Sequence, residues 1–167
     1  MSLEFTFKGQ RADETVEEVV KNHPFVLFWP GIKAVILLAI PVGVFFFTGA
    51  STYFTLATLI FVLSAFAVFA RPYYEYAASV LILTNQRVMY LAQRGFFGRK
   101  IIETELRNIV DISSDTSGAI RMSLGFGDLI IRTAGAGIGT EIIVKNISDP
   151  FEIQQEVTKR IEKQLIR

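Results

Sequence analysis

The sequence predicts a membrane-spanning pair of α-helices followed by an all-β barrel or sandwich of about seven antiparallel strands, capped by a C-terminal amphipathic helix. Three observations carry this expectation. No charged side chain occurs from Ala34 to Ala70, so all 17 basic and 16 acidic residues of the 167-residue chain lie outside that block. From Pro72 onward the texture changes to short apolar runs separated by turn residues. The last stretch places Ile153, Val157, Ile161 and Leu165 four residues apart, which makes one apolar stripe on a helix.

In chain order, an N-terminal cytoplasmic segment, 1–24, comes first. Within it "ADETVEEVVKNH" sets Val16, Val19 and Val20 against an acidic opposite face, which predicts a short helix leading to the first span. A two-helix transmembrane hairpin, 25–71, follows. Its spans are "GIKAVILLAIPVGVFFF", 31–47, and "YFTLATLIFVLSAFAVFA", 53–70, joined by the small-residue turn "TGAST". Each covers roughly 26 Å at ~1.5 Å per residue, close to the ~30 Å hydrocarbon core, and neither has the polar face a soluble helix needs. Pro41 predicts a kink in the first span. Lys21, Lys33 and Arg71 flank the outer ends while the connecting turn carries no basic residue, which predicts a multi-pass protein of the cytoplasmic (inner) membrane with both termini cytoplasmic. Trp29, Lys33, Arg71, Tyr73 and Tyr74 are the expected interfacial anchors.

The remaining residues, 72–167, read as a cytoplasmic β domain. "SVLILTNQRVMYLAQ" gives two strands joined around Thr84, Asn85 and Gln86, and "RKIIETEL" and "NIVDISSD" give two more. "GAIRMSLGFG" is expected as a fifth strand, and "DLIIRTA" and "TEIIVKN" as a hairpin around "GAGIG", 135–139. Asp149 as N-cap, Pro150 at the first helical position and Glu152 in a capping box predict where the final helix starts. Its stripe is expected to close an open end of the barrel.

The combination resembles the bacterial pleckstrin-homology (PH) domain family of small membrane proteins, in which a PH-like domain follows a transmembrane hairpin. The resembling stretches are "KNHPFVLF", "YYEYAASVLILTNQRVMYLAQRGFFGRK", "ELRNIVDIS" and "LGFGDLIIRTAG", of which "LTNQRV" and "LGFGDLIIRTAG" are the most specific. The resemblance implies a PH-like barrel capped by the helix, and little about activity.

One stretch stands out against this frame. "QRGFFGRK" places Phe96 and Phe97 between Gly95 and Gly98, with Arg94, Arg99 and Lys100 around them. Turns are normally polar. A strand returning from Arg87 to Gln93 would deliver this tip to the membrane-proximal end of the domain. There the rings would enter the headgroup boundary, each worth about 1.5–3 kcal/mol when buried. The cations would meet anionic phosphates at roughly 1 kcal/mol each. The alternative is that one ring folds back and plugs the barrel.

Several chemistries lack their parts. A net charge of +1 gives no electrostatic footprint for nucleic acid. With no Cys and His23 as the only histidine, neither a thiolate metal site nor a Ser/His/Asp set can be assembled. "GAGIG" is followed by a strand rather than the helix a phosphate loop requires. Asp111 and Asp115 read as solvated strand-end acids. The expectation is a non-enzymatic membrane-anchored interaction module without metal or cofactor, mediating protein assembly at the cytoplasmic face, as a homo-oligomer or with another membrane protein. The alternative is an anionic-lipid sensor working through the Arg94–Lys100 tip. A pore or transporter subunit is remote, because the spans hold no intramembrane acid.

Overall fold

A computed structural model describes residues 9–11, 13–134 and 141–165. They fall into two compact units: one built from 24–78 together with 93–98, the other from the remaining strands and the C-terminal helix.

In the first unit a 3₁₀ turn, Pro24–Leu27, runs into helix α1, Phe28–Thr48, which is followed by helix α2, Thr52–Ala78. At ~1.5 Å per residue they measure roughly 31 and 40 Å, enough to cross a ~30 Å hydrocarbon core. The turn between them is held chemically at both sides. Gly49, at φ 62°, closes α1 by donating its N–H to Phe45 O at 2.9 Å, and Ser51 Oγ accepts the Phe54 N–H at 3.3 Å to open α2. Large apolar side chains, among them Ile36, Phe46, Leu59 and Phe66, stand exposed around both helices. Both are long and apolar enough to cross a membrane. Pro41 lies inside α1 as expected. Helix α2, however, continues through Arg71 and Pro72 to Ala78, so Tyr73, Tyr74 and Tyr76 ride on its last turns and the first following strand starts only at Val80. The boundary expected at residue 72 is therefore corrected.

The second unit holds two antiparallel sheets. The first has the order β1-β2-β3-β4, with β1 Val16–Lys21, β2 Val80–Thr84, β3 Arg87–Arg94 and β4 Gly98–Glu105; the second is β5-β6-β7, with β5 Ile109–Asp115, β6 Phe126–Thr133 and β7 Glu141–Ser148. Asn22 bridges Ile147, which brings the β1 and β7 sides of the two sheets together. Leu81, Leu83 and Val88 from one sheet meet Leu129, Ile131, Ile142, Val144 and Ile147 from the other. Helix α4, Pro150–Leu165, covers this core with Ile153 and Val157, both buried, and with Ile161 packed beside them. The side chain of Leu165 and the expected "GAGIG" turn lie outside the described residues.

Two expectations fail for physical reasons. The segment expected as an N-terminal helix is strand β1, paired with β2 from Val16↔Thr84 to Lys21↔Val80. The register shifts between Val16 and Glu18. That bulge puts Val16 and Val19, three apart, against the same cluster with Ile82 and Met89, while Val20 joins the main core, so a strand acquires helix-like spacing. The expected strand at "GAIRMSLGFG" is instead a short helix, α3, Ala119–Leu124, ended by Gly125 in the left-handed region at φ 66°. The strand count stays at seven because β1 replaces it.

At the start of α4, Asp149 adopts φ 45° and its carbonyl accepts the Glu152 and Ile153 N–H groups at 3.0 and 3.2 Å. On β1, Glu17 receives Arg160 Nε of α4 at 2.9 Å, which ties the helix to the strand.

Candidate functional site

The two most distinctive sequence stretches turn out to build the barrel's seams. In "LTNQRV", Thr84 is fully buried and its Oγ1 both donates to Arg87 O at 2.9 Å and accepts the Arg87 N–H at 3.0 Å. Asn85 Oδ1 accepts the Thr15 N–H at 3.0 Å, and its amide donates to Asp13 O at 2.9 Å. Arg87 then clamps the segment before β1. Its Nε and Nη2 reach the two oxygens of Glu14 at 2.8 and 2.9 Å, Nη2 also meets Gly9 O at 2.8 Å, and Nη1 meets Glu103 at 2.8 Å.

Burial pushes the Glu14 carboxyl upward, but the hydrogen bonds from Arg87 and the Arg11 amide, with the Arg87 charge beside it, outweigh burial, so the group sits below the usual carboxylate range. The Glu14 hydrogen bond raises Arg87 further above its ordinary value. Arg87 is thus structural, and it contributes nothing to a lipid-facing charge cluster.

In "LGFGDLIIRTAG", Phe126 stacks face to face on His23, with centroids 4.8 Å apart and planes 8° apart. The backbone N–H of His23 donates to the Asn146 backbone carbonyl at 2.6 Å. Arg121 lies over the other partner of this stack, 6.0 Å from the Phe126 centroid, and also bonds Asp128 at 3.2 Å and Asn146 at 3.3 Å. A side chain at Gly127 would run into the Asp115 carbonyl, Thr116 Oγ1 and Pro150, so only glycine lets β6 pass there. His23 is therefore seated in a ring stack directly before Pro24.

The tip belongs to the helical unit. Gly95, at φ 65°, donates its N–H to Glu75 Oε1 on α2 at 2.6 Å, and the same oxygen accepts Arg71 Nε at 3.1 Å. Gln93 Nε2 donates to Gly95 O at 2.9 Å, and a side chain at Gly98 would strike Arg94 O at 2.6 Å. The turn is therefore narrow and fastened to the last turns of α2. Phe96 packs on Tyr74 with centroids 5.7 Å apart, and Phe97 projects with its whole side chain exposed.

Arg94 is exposed beside them; Arg99 and Lys100, also exposed, open β4. Of the expected anchors, Arg71, Tyr73 and Tyr74 share the end of α2 with the tip, while Trp29 and Lys33 stand exposed on the first turns of α1. Sequence reasoning found the tip but missed Glu75, its fastener. Its only signal there was an acid set among tyrosines next to Arg71.

Other groups are occupied by ion pairs. Asp111 holds Arg132 at 3.1 Å, and Arg11 and Arg107 hold Glu105 at 3.1 and 2.6 Å, which keeps that carboxyl below its ordinary value. Among the described residues no set of three or more His, Asp or Glu is grouped to hold a metal ion.

One solved structure, a DUF1696 family protein with a pleckstrin-homology domain from Shewanella loihica PV-4, is similar at 15% identity and a TM-score of 0.39, over 50% of this chain and 70% of that one. No curated protein matches the chain. The family described as bacterial PH domain matches residues 32–161, well over half of the sequence and inclusive of both distinctive stretches. The chain belongs to the bacterial PH domain family.

Proposed function

We propose that the chain is a non-enzymatic, membrane-anchored PH-like interaction module at the cytoplasmic face, and that its Gly95–Gly98 tip contacts the lipid headgroup layer. One observation carries the reading: Glu75 and Tyr74 hold the tip on the end of an apolar helix of spanning length while Phe97 stays wholly exposed. A ring held out in water gains nothing there, whereas burial in the acyl boundary is worth about 1.5–3 kcal/mol. The neighbouring Arg94 would favour anionic lipid by roughly 1 kcal/mol. In a chain already held by two spans, such a contact positions rather than recruits.

Assembly with a second copy or another membrane protein is the competing version. It is supported by β5, which ends its sheet beside a groove of about 320 Å³ formed with Ile109, Val110 and Ile161.

The chain lacks cysteine, so Phe97→Cys carries a single fluorescent label. In full-length protein reconstituted in vesicles, the label is expected to resist an aqueous quencher, more so as the anionic lipid fraction rises. Free quenching at every lipid composition sinks the lipid reading. Protection that persists in detergent, accompanied by cross-linking between copies, supports assembly instead.

A further inference from the structure

Helix α3 is inside out for a helix in water. Its one charged residue, Arg121, faces the protein and is spent on Asp128, Asn146 and the Phe126 ring. Its apolar residues face outward: Ile120, Met122 and Leu124 are 59%, 72% and 46% exposed. An ordinary surface helix shows the reverse, an apolar stripe buried and polar residues outside. Phe151, in the first turn of α4, adds a ring that is 63% exposed. It belongs to the same end, because the Asp149 N–H bonds Gly125 O at 2.8 Å and Ser148 pairs with Phe126.

That end is also where the chain leaves the barrel for the helices. Arg121 lies on Phe126, Phe126 stacks on His23, and the residue after His23 is Pro24, which starts the run into α1. The second junction is equally short. Lys21 pairs with Val80, and α2 ends at Ala78. The outward-facing apolar residues therefore sit on the end of the barrel from which, within a few residues, the chain passes into both helices of spanning length.

We infer that Ile120, Met122, Leu124 and Phe151 form a second lipid contact, an apolar cap that enters the headgroup boundary independently of the Phe97 tip. Continuity with the spans selects the occupant: an apolar surface attached this closely to two helices of spanning length meets bilayer before any soluble partner. The inference rests on the membrane-anchored reading proposed above, though not on its tip.

The test uses full-length protein in vesicles with one nitroxide at a time, on Met122→Cys, Ile143→Cys or Leu59→Cys. Ile143 is the control: 43% exposed and apolar, it pairs with Ile130 toward the Arg132↔Glu141 end of its sheet, away from Phe126↔Ser148 and outside the groove beside β5. The Met122 label is expected to collide several-fold more with oxygen, and several-fold less with a water-soluble nickel chelate, than the Ile143 label. Equal accessibility at the two positions overturns the cap. Protection of Met122 that persists in detergent with spin–spin coupling between copies also overturns it, because a second chain then covers the face. A water-exposed Leu59 label shows instead that the anchored reading itself has failed, and the cap fails with it.

Discussion

Arg87→Ala is expected to cost about 3–5 kcal/mol, because it leaves the Glu14 carboxylate buried with no cation. The same change also strips Gly9 O and Glu103 of a partner and frees the segment before β1. Denaturation of the purified full-length protein measures this. The comparison that isolates the mechanism is Glu103→Gln. That residue's side chain is 54% exposed, so its bond to the same guanidinium falls in the range of about 0–1 kcal/mol typical of surface pairs. A double replacement, Glu14→Leu with Arg87→Leu, is expected to recover much of the loss, since neither charge is then stranded. Equal losses in Arg87→Ala and Glu103→Gln would rule the buried pair out as the seam's main fastening.

The pair also sets a pH dependence. Glu14 has its carboxyl lowered on folding, so its stabilisation is complete above the ordinary carboxylate value and is lost as pH falls through the lowered folded value. Glu18 works in the opposite sense. Burial, opposed by Arg160 and reinforced by Glu156 and Glu152, raises it, so its contribution is present at low pH and disappears as pH rises through the raised folded value. Glu14→Gln is therefore expected to flatten the fall in stability on acidification.

Gly127→Ala is expected to cost about 3 kcal/mol, at the upper end for overpacking, because the obstacle is largely backbone. The added methyl would meet the Asp115 carbonyl, Thr116 Oγ1 at 2.7 Å and Pro150 Cγ at 3.0 Å. Relief requires β6 to move from β5 or the first residue of α4 to move from its seat. Gly43→Ala in α1 is the control, since nothing lies within 4 Å of the position where its Cβ would be, and it is expected to be close to neutral. A neutral Gly127→Ala would show that the β6 crossing is loose and that this glycine is not what makes the stretch distinctive.

Much of this architecture was legible because it rests on local chemistry. The charge-free block, the Asn85 turn and the Ile153–Val157–Ile161 stripe each declare their element without help from distant residues. What stayed hidden depends on tertiary contacts. The bulge at Val16–Glu18 disguised β1 as a helix, and only its pairing with β2 makes it a strand. Helix α3 looked like a strand because Ile120, Met122 and Leu124 alternate, and nothing local reveals that Arg121 turns inward toward Asp128.

The tip's glycines and phenylalanines announced themselves, whereas Glu75 stands twenty positions from Gly95 and becomes its partner only once α2 extends past Pro72. The inclusion of β1 also bears on experiments. A fragment starting at Pro72 lacks an edge strand of the first sheet, together with Glu14 and Val20, so lipid binding has to be measured on the full chain.

Both proposed lipid contacts depend on α1 and α2 lying in a bilayer with their outer ends at the interface, and the only tryptophan, Trp29, stands exposed at the start of α1 to report it. The decisive measurement is Trp29 fluorescence of the unmodified full-length protein in vesicles containing lipids brominated at graded depths, with iodide added to the water. With α1 in the bilayer, the strongest quenching is expected from bromines nearest the headgroups, with weak quenching by iodide. Full iodide quenching with no response to any brominated lipid would place α1 in water and contradict the membrane anchoring on which the tip and the α3 cap both rest.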